Sequence, residues 1–201
     1  MTQHGQAGLL DLQKGTYSDK GERLDWSYYD TLILKNALGA QTFRLFTQGI
    51  GQTDPTGAVK TKDLTNMKTS GIMPQNQRLV IKAIRVTYTA HAALTSLVDT
   101  MLFLNTAVLE VSINGKDASY QKPLSSIMKL AMGVQVATGA ANIVLETAYA
   151  PISGCSVLRK PLVLAANVPF EVDITLAAAS AAALDADRCR IDLEGLLLRA
   201  M

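Results

Sequence analysis

Apolar and polar positions alternate most clearly in the last third of the chain. Phe170, Val172, Ile174 and Leu176 are interleaved with Glu171, Asp173 and Thr175. A period of two puts each set on its own face of a strand. Cys189, Ile191 and Leu193 alternate in the same way with Arg190, Asp192 and Glu194. Gly195 then precedes Leu196, Leu197 and Leu198, and a glycine inside a strand predicts a bulge or a close backbone approach. From Arg78 to Thr89, Leu79 and Ile81 alternate with Val80 and Lys82, after which the phase slips by one and continues through Ile84, Val86 and Tyr88. A strand carrying a bulge accounts for that slip.

Shorter signals fill in the rest. Leu109, Val111 and Ile113 alternate with Glu110 and Ser112 and end in Asn114-Gly115, the dipeptide suited to the positive φ angles of a type I′ hairpin turn. Leu32 to Leu34 and Phe43 to Phe46 read as short strands with a turn at Asn36 to Gly39, and Pro161 to Ala165 as another. Gly49 to Asn66 is rich in Gly, Thr, Asp and Pro and reads as a loop. Leu94, Leu97, Val98, Met101 and Leu102 line one face of a helix predicted over 94–105, with Thr95 able to cap it. Leu124 to Leu130 suits either a helical turn or an irregular loop, and β character returns at Ile143 to Leu145. Ala177 to Ala183 is a loop or a helical turn.

These elements amount to about seven or eight strands, one short helix and long loops. Helices do not alternate with strands, which disfavours a parallel α/β fold, and no fixed repeat suggests a propeller or solenoid. The expectation is a mainly β chain, a single jelly-roll antiparallel β-sandwich, since a jelly roll is the commonest way to order eight such strands. Residues 1–30 are polar and contain glycine, ending in Trp26, Tyr28 and Tyr29. They read as an arm or loop docked through those aromatics, on a neighbour or on the chain's own core, with the sandwich domain spanning 31–201.

Composition adjusts this picture only slightly. The chain has 201 residues, 48% hydrophobic and 18% charged, enough apolar surface for one core. Net charge is +2 and the basic residues are scattered, so no stripe predicts specific nucleic-acid binding. The start, Met1 to Leu12, has no basic region followed by an apolar run, and Leu94 to Val111 is interrupted by Asp99, Asn105 and Glu110. Neither a secretory signal nor a bilayer span is expected. Cys155 and Cys189 are the only cysteines. They read as two buried small hydrophobes, with a single disulfide as the alternative.

Candidate chemistry is sparse. His4 lies near the N-terminus and His91 stands alone among Thr89, Ala90, Ala92 and Ala93, so no catalytic triad or zinc motif is formed. Asp185 with Asp187, and Asp192 with Glu194, have the spacing of paired carboxylates on one side of a strand. Such pairs bind Ca²⁺ or act as acid and base, but next to Arg188 and Arg190 they suit the solvent face of an amphipathic strand. Gly49-Ile50-Gly51 lacks the Lys-Ser/Thr and the helix of a phosphate loop. Trp26, Tyr28 and Tyr29 could form a sugar-stacking platform, and core or interface packing is the plainer use. No catalytic, cofactor or metal residue is expected, and no enzyme activity.

The second half, roughly Leu79 to Arg199, resembles the capsid-type jelly-roll proteins of icosahedral, tailless bacterial viruses. The resemblance rests on Ile113-Asn114-Gly115-Lys116, on Lys122-Pro123-Leu124, on Pro161 to Ala165, on Val168 to Ile174 and on the closing strand Arg190 to Leu196. It implies a virion structural protein, a capsid subunit that trimerises and assembles with itself and with other virion proteins, over an internal membrane in some shells. Function would then be spread over surfaces, and the location would be the virion after synthesis in the host cytoplasm. The alternative is a β-sandwich module that binds a glycan or receptor through the aromatics near Trp26.

Overall fold

The computed structural model describes residues 22–34, 40–54, 57, 59–89, 103–115, 118–128, 152–176 and 187–199. Eight strands are formed among them: β1 (Glu22–Ile33), β2 (Gln41–Leu45), β3 (Gln77–Thr89), β4 (Ala107–Ile113), β5 (Tyr120–Pro123), β6 (Ile152–Leu164), β7 (Phe170–Leu176) and β8 (Arg188–Arg199). They make two four-stranded sheets, ordered β1-β8-β3-β6 and β2-β7-β4-β5.

The pairing is nested. β1 pairs with β8, β2 with β7, β3 with β6 and β4 with β5, all antiparallel. One long antiparallel hairpin of eight strands has been rolled up, and the roll adds the β3–β8 and β4–β7 ladders. That connectivity is a single jelly roll.

Alternation explains which residues meet in the middle. Leu79, Ile81, Ile84, Val86, Ile191 and Leu193 come from one sheet, Leu109, Val111, Val172 and Ile174 from the other, and all are fully buried. Phe46 and Phe170 pack with ring centroids 5.7 Å apart, as do Tyr88 and Phe103 at 5.9 Å. Each such pair adds a geometric preference to its large buried area.

The phase slip in β3 is a bulge. Ile81 pairs with Gly195 and Ala83 with Glu194, so Lys82 is the extra residue. On the other side of β3, the pairs Ile81–Leu162 and Ala83–Val157 enclose residues 158–161 of β6. β6 is therefore much longer than the short strand expected at Pro161 to Ala165. Pro161 lies within this irregular stretch of an edge strand, where no ladder hydrogen bond is demanded of it.

The Asn114-Gly115 turn is present, with φ of 59° and 64°. It lies in a loop longer than two residues, because the last ladder pair before it is Val111–Tyr120. A short helix, α1 (Leu124–Ile127), follows β5 and lies over β6 at Gly154. A Cβ on Gly154 would stand 2.1 Å from the Ile127 carbonyl oxygen, so only glycine permits that approach.

One expectation about the domain needs correcting, and another is only partly described. Residues 22–30, read as part of an arm, belong to β1 and pair along its length with β8 of the same chain, so the sandwich begins before residue 31. The helix predicted over 94–105 falls mostly outside the described residues; 103–106 form a helical turn with Phe103 and Leu104 buried. The turn at 36–39, the segments 134–145 and 177–183 and the first twenty-one residues also lie outside them. No described helix is long and apolar enough to cross a membrane.

Candidate functional site

Among the described residues, the densest concentration of buried charge lies where the β2–β3 loop folds back on the edge strand β1. Within the loop, Thr53 and Val59 form a β-bridge, Gly51 N–H donates to the Lys60 carbonyl (2.7 Å) and Lys60 N–H to the Gln52 carbonyl (2.8 Å). This small hairpin fixes the backbone of Lys60. A second part of the loop pairs with β1: Asp30 bridges to Thr65, Tyr29 N–H donates to Asn66 Oδ1 (2.9 Å), and Asn66 Nδ2 donates to the Ser27 carbonyl (2.8 Å). The loop thus covers this stretch of an otherwise open sheet edge.

Between these contacts Lys60, Asp30 and Asp54 are 4%, 1% and 7% exposed. Lys60 Nζ donates to Asp30 Oδ1 at 2.9 Å and also to the Thr31 carbonyl, while Asp54 Oδ2 stands 3.9 Å from it. Asp30 accepts two backbone hydrogen bonds as well, from Thr31 N–H to Oδ1 (2.9 Å) and from Phe46 N–H to Oδ2 (2.6 Å). Burial pushes the Asp30 carboxyl above the usual aspartate range, against the opposing pull of the Lys60 ammonium and of the two backbone donors. Reading Gly49 to Asn66 as a loop was right in outline but hid this cluster. The one hint in the sequence is Lys60 directly after apolar Val59, six residues beyond Asp54, and a lone lysine is ordinarily solvated.

The paired carboxylates proposed from spacing go to different places. Asp185 lies outside the described residues. Asp187 is buried and accepts a hydrogen bond from the Tyr88 hydroxyl at 2.5 Å. Asp192 and Glu194 share the face of β8 opposite its core residues, yet each has its own partner. Arg190 Nη2 donates to Asp192 at 2.7 Å and its guanidinium carbon sits 3.8 Å from the centroid of the Tyr29 ring. Arg85 Nε donates to Glu194 at 2.6 Å. Asp192 is buried beneath Arg190 and is not the solvent-facing group expected. Among the described residues no three His, Cys, Asp or Glu side chains are grouped to hold a metal.

The aromatic trio does not form one platform. Strand alternation puts Trp26 and Tyr28 on one face of β1, where their rings meet edge-on at 6.3 Å, and Tyr29 on the other against Arg190. Trp26 remains 38% exposed near Arg199, whereas Tyr28 is buried and its hydroxyl donates to Gln77 Oε1 at 3.0 Å. Around Gly49-Ile50-Gly51, the three amide N–H groups already donate to Gln52 Oε1, the Met67 carbonyl and the Lys60 carbonyl. They have no amide to spare for a phosphate.

Both cysteines are free thiols. Cys189 is buried as expected, but Cys155 is exposed on edge strand β6. In register Cys155 faces Arg85 and Cys189 faces Tyr88, with β3 between their strands, so they are not placed to bond. His4 and His91 lie outside the described residues. Among the described residues the most exposed large apolar side chain is Val157, at 76%, two residues beyond Cys155 on the same face of β6. Val59, Ile72 and Ile50 are further exposed apolar side chains, all on the β2–β3 loop.

Compared with protein-family models and with curated protein sequences, the chain matches none.

Proposed function

We propose that this chain is a virion structural protein, a capsid subunit that assembles with copies of itself into an icosahedral shell. The observation that carries the reading is the nested pairing of β1 with β8, β2 with β7, β3 with β6 and β4 with β5. This strand order is the single jelly roll that the resemblance implies, which supports the reading at the level of fold. A fold hosts many functions, so the reading also leans on what the surface offers. The buried and half-buried carboxylates Asp30, Asp192 and Glu194 are each held by a basic partner, and the exposed apolar side chains are scattered over two edge strands and a long loop. Contacts between like subunits use such broad, low-charge surfaces.

Self-association would be through closed point-group contacts, with trimers as the building unit. Negative-stain imaging of the purified full chain tests this: trimeric or shell-like particles are expected, and isolated single subunits at high concentration would overturn it. Binding to a glycan array that is lost in Trp26→Ala, with no assembly, would favour the recognition-module reading instead.

A further inference from the structure

We propose that Lys60 and Asp30 form an intramolecular isopeptide bond, with Asp54 relaying the proton. The two side chains already touch, at 2.9 Å from Nζ to Oδ1, in a site closed to solvent on all three members. Holding an amine against a carboxyl in fixed orientation removes the entropy that makes amide formation slow between free groups. Removing water also matters. A buried ammonium–carboxylate pair is costly, and moving one proton from Nζ to the carboxyl converts it into a neutral amine and a neutral acid. Those are the nucleophile and the electrophile the reaction needs, and the upward push that burial exerts on the Asp30 carboxyl acts in the same direction.

The rest of the site is suited to the step. Nζ attacks Asp30 Cγ, and the negative charge that develops on Oδ2 meets the Phe46 N–H, already 2.6 Å away. Asp54 Oδ2, 3.9 Å from Nζ, takes a proton from the attacking nitrogen and returns it to the departing Oδ1. The Cγ–Oδ1 bond breaks and the Cγ–Nζ bond forms. Of the three ammonium protons, one stays on the amide nitrogen and two leave with Oδ1 as water. Asp54 ends as it began, and no oxidant or reductant is consumed. The bond would tie edge strand β1 covalently to the loop that covers it, independently of whether the chain assembles.

Intact-mass spectrometry of the denatured full chain, followed by peptide mapping, tests the proposal. The wild type is expected one water lighter than its sequence, with the peptide bearing Asp30 joined to the peptide bearing Lys60. Lys60→Arg is expected at its full mass, and Asp54→Asn at full mass while retaining its β-sheet circular dichroism. A wild type at full mass with two separate peptides would overturn the bond. A lost water that persists in Lys60→Arg would overturn it too, since the dehydration would then lie elsewhere. Because the wild type alone decides the first point, a variant that fails to fold does not rescue the proposal.

Discussion

Gly195 of β8 lies so close to Val80 of β3 that a Cβ on it would stand 1.9 Å from the Val80 carbonyl oxygen. The contact lies beside the bulge at Lys82, and the strand pairing on both sides of β8 leaves the backbones nowhere to retreat. Gly195→Ala is therefore expected to destabilise the fold by at least about 2 kcal/mol, the scale of an overpacked core. Urea denaturation of the variant checks this, and a midpoint equal to that of the wild type would contradict it.

Lys60 is enclosed with two carboxylates, so deleting its charge strands them. Lys60→Met is expected to cost at least about 3–5 kcal/mol, as for other broken buried pairs, with loss of the proposed covalent tie to Asp30 adding to it. Replacing Asp30 as well, by Leu, recovers little, because Phe46 and Thr31 N–H groups would lose their acceptor. Chemical denaturation of the single and double variants measures both steps. A double variant restored to wild-type stability would show that the backbone hydrogen bonds contribute nothing.

The two thiols should differ sharply in reactivity. Burial pushes the Cys189 thiol from 9.0 up to about 12, whereas Cys155 is exposed. A colorimetric thiol reagent is expected to titrate one cysteine quickly in the native protein and the second only on unfolding. The same shift has a sign for stability. Between pH 9.0 and about 12 the unfolded chain loses the Cys189 proton while the native chain keeps it. Native binding of more protons means stability falls as pH rises through that window, and Cys189→Ala should flatten the fall.

Val157 is 76% exposed on the outer face of an edge strand, so Val157→Asp should leave monomer stability within about 0.5 kcal/mol of wild type. If the edge of β6 takes part in subunit contacts, the variant should assemble less. Thermal denaturation and sedimentation velocity together separate the two effects. Unchanged assembly would remove this edge from the interface.

Much of the sheet was legible because one-sided burial imposes alternation. Phe170 to Leu176 and Cys189 to Leu193 each bury one face, and the phase slip near Lys82 and the glycine at 195 marked one and the same irregularity from its two strands. β1 was hidden because, as an edge strand, it carries Asp25, Ser27 and Asp30 among its aromatics and shows no clean apolar face. Its Asp30 even points a carboxylate at a lysine thirty positions on, which no local period reveals. β6 was seen only in its last residues, since polar Ser156 takes the buried position while apolar Val157 faces out, and residues 158–161 break the register. The buried Asp30–Lys60–Asp54 cluster depends on a loop folding back on a distant edge, a relationship carried by tertiary contact alone.

The central claim is self-assembly, and the mass of the purified full chain by multi-angle light scattering, across a concentration series, tests it most directly. The account predicts trimers or closed particles that persist on dilution into the micromolar range. A strict monomer at the highest concentration reached would contradict it.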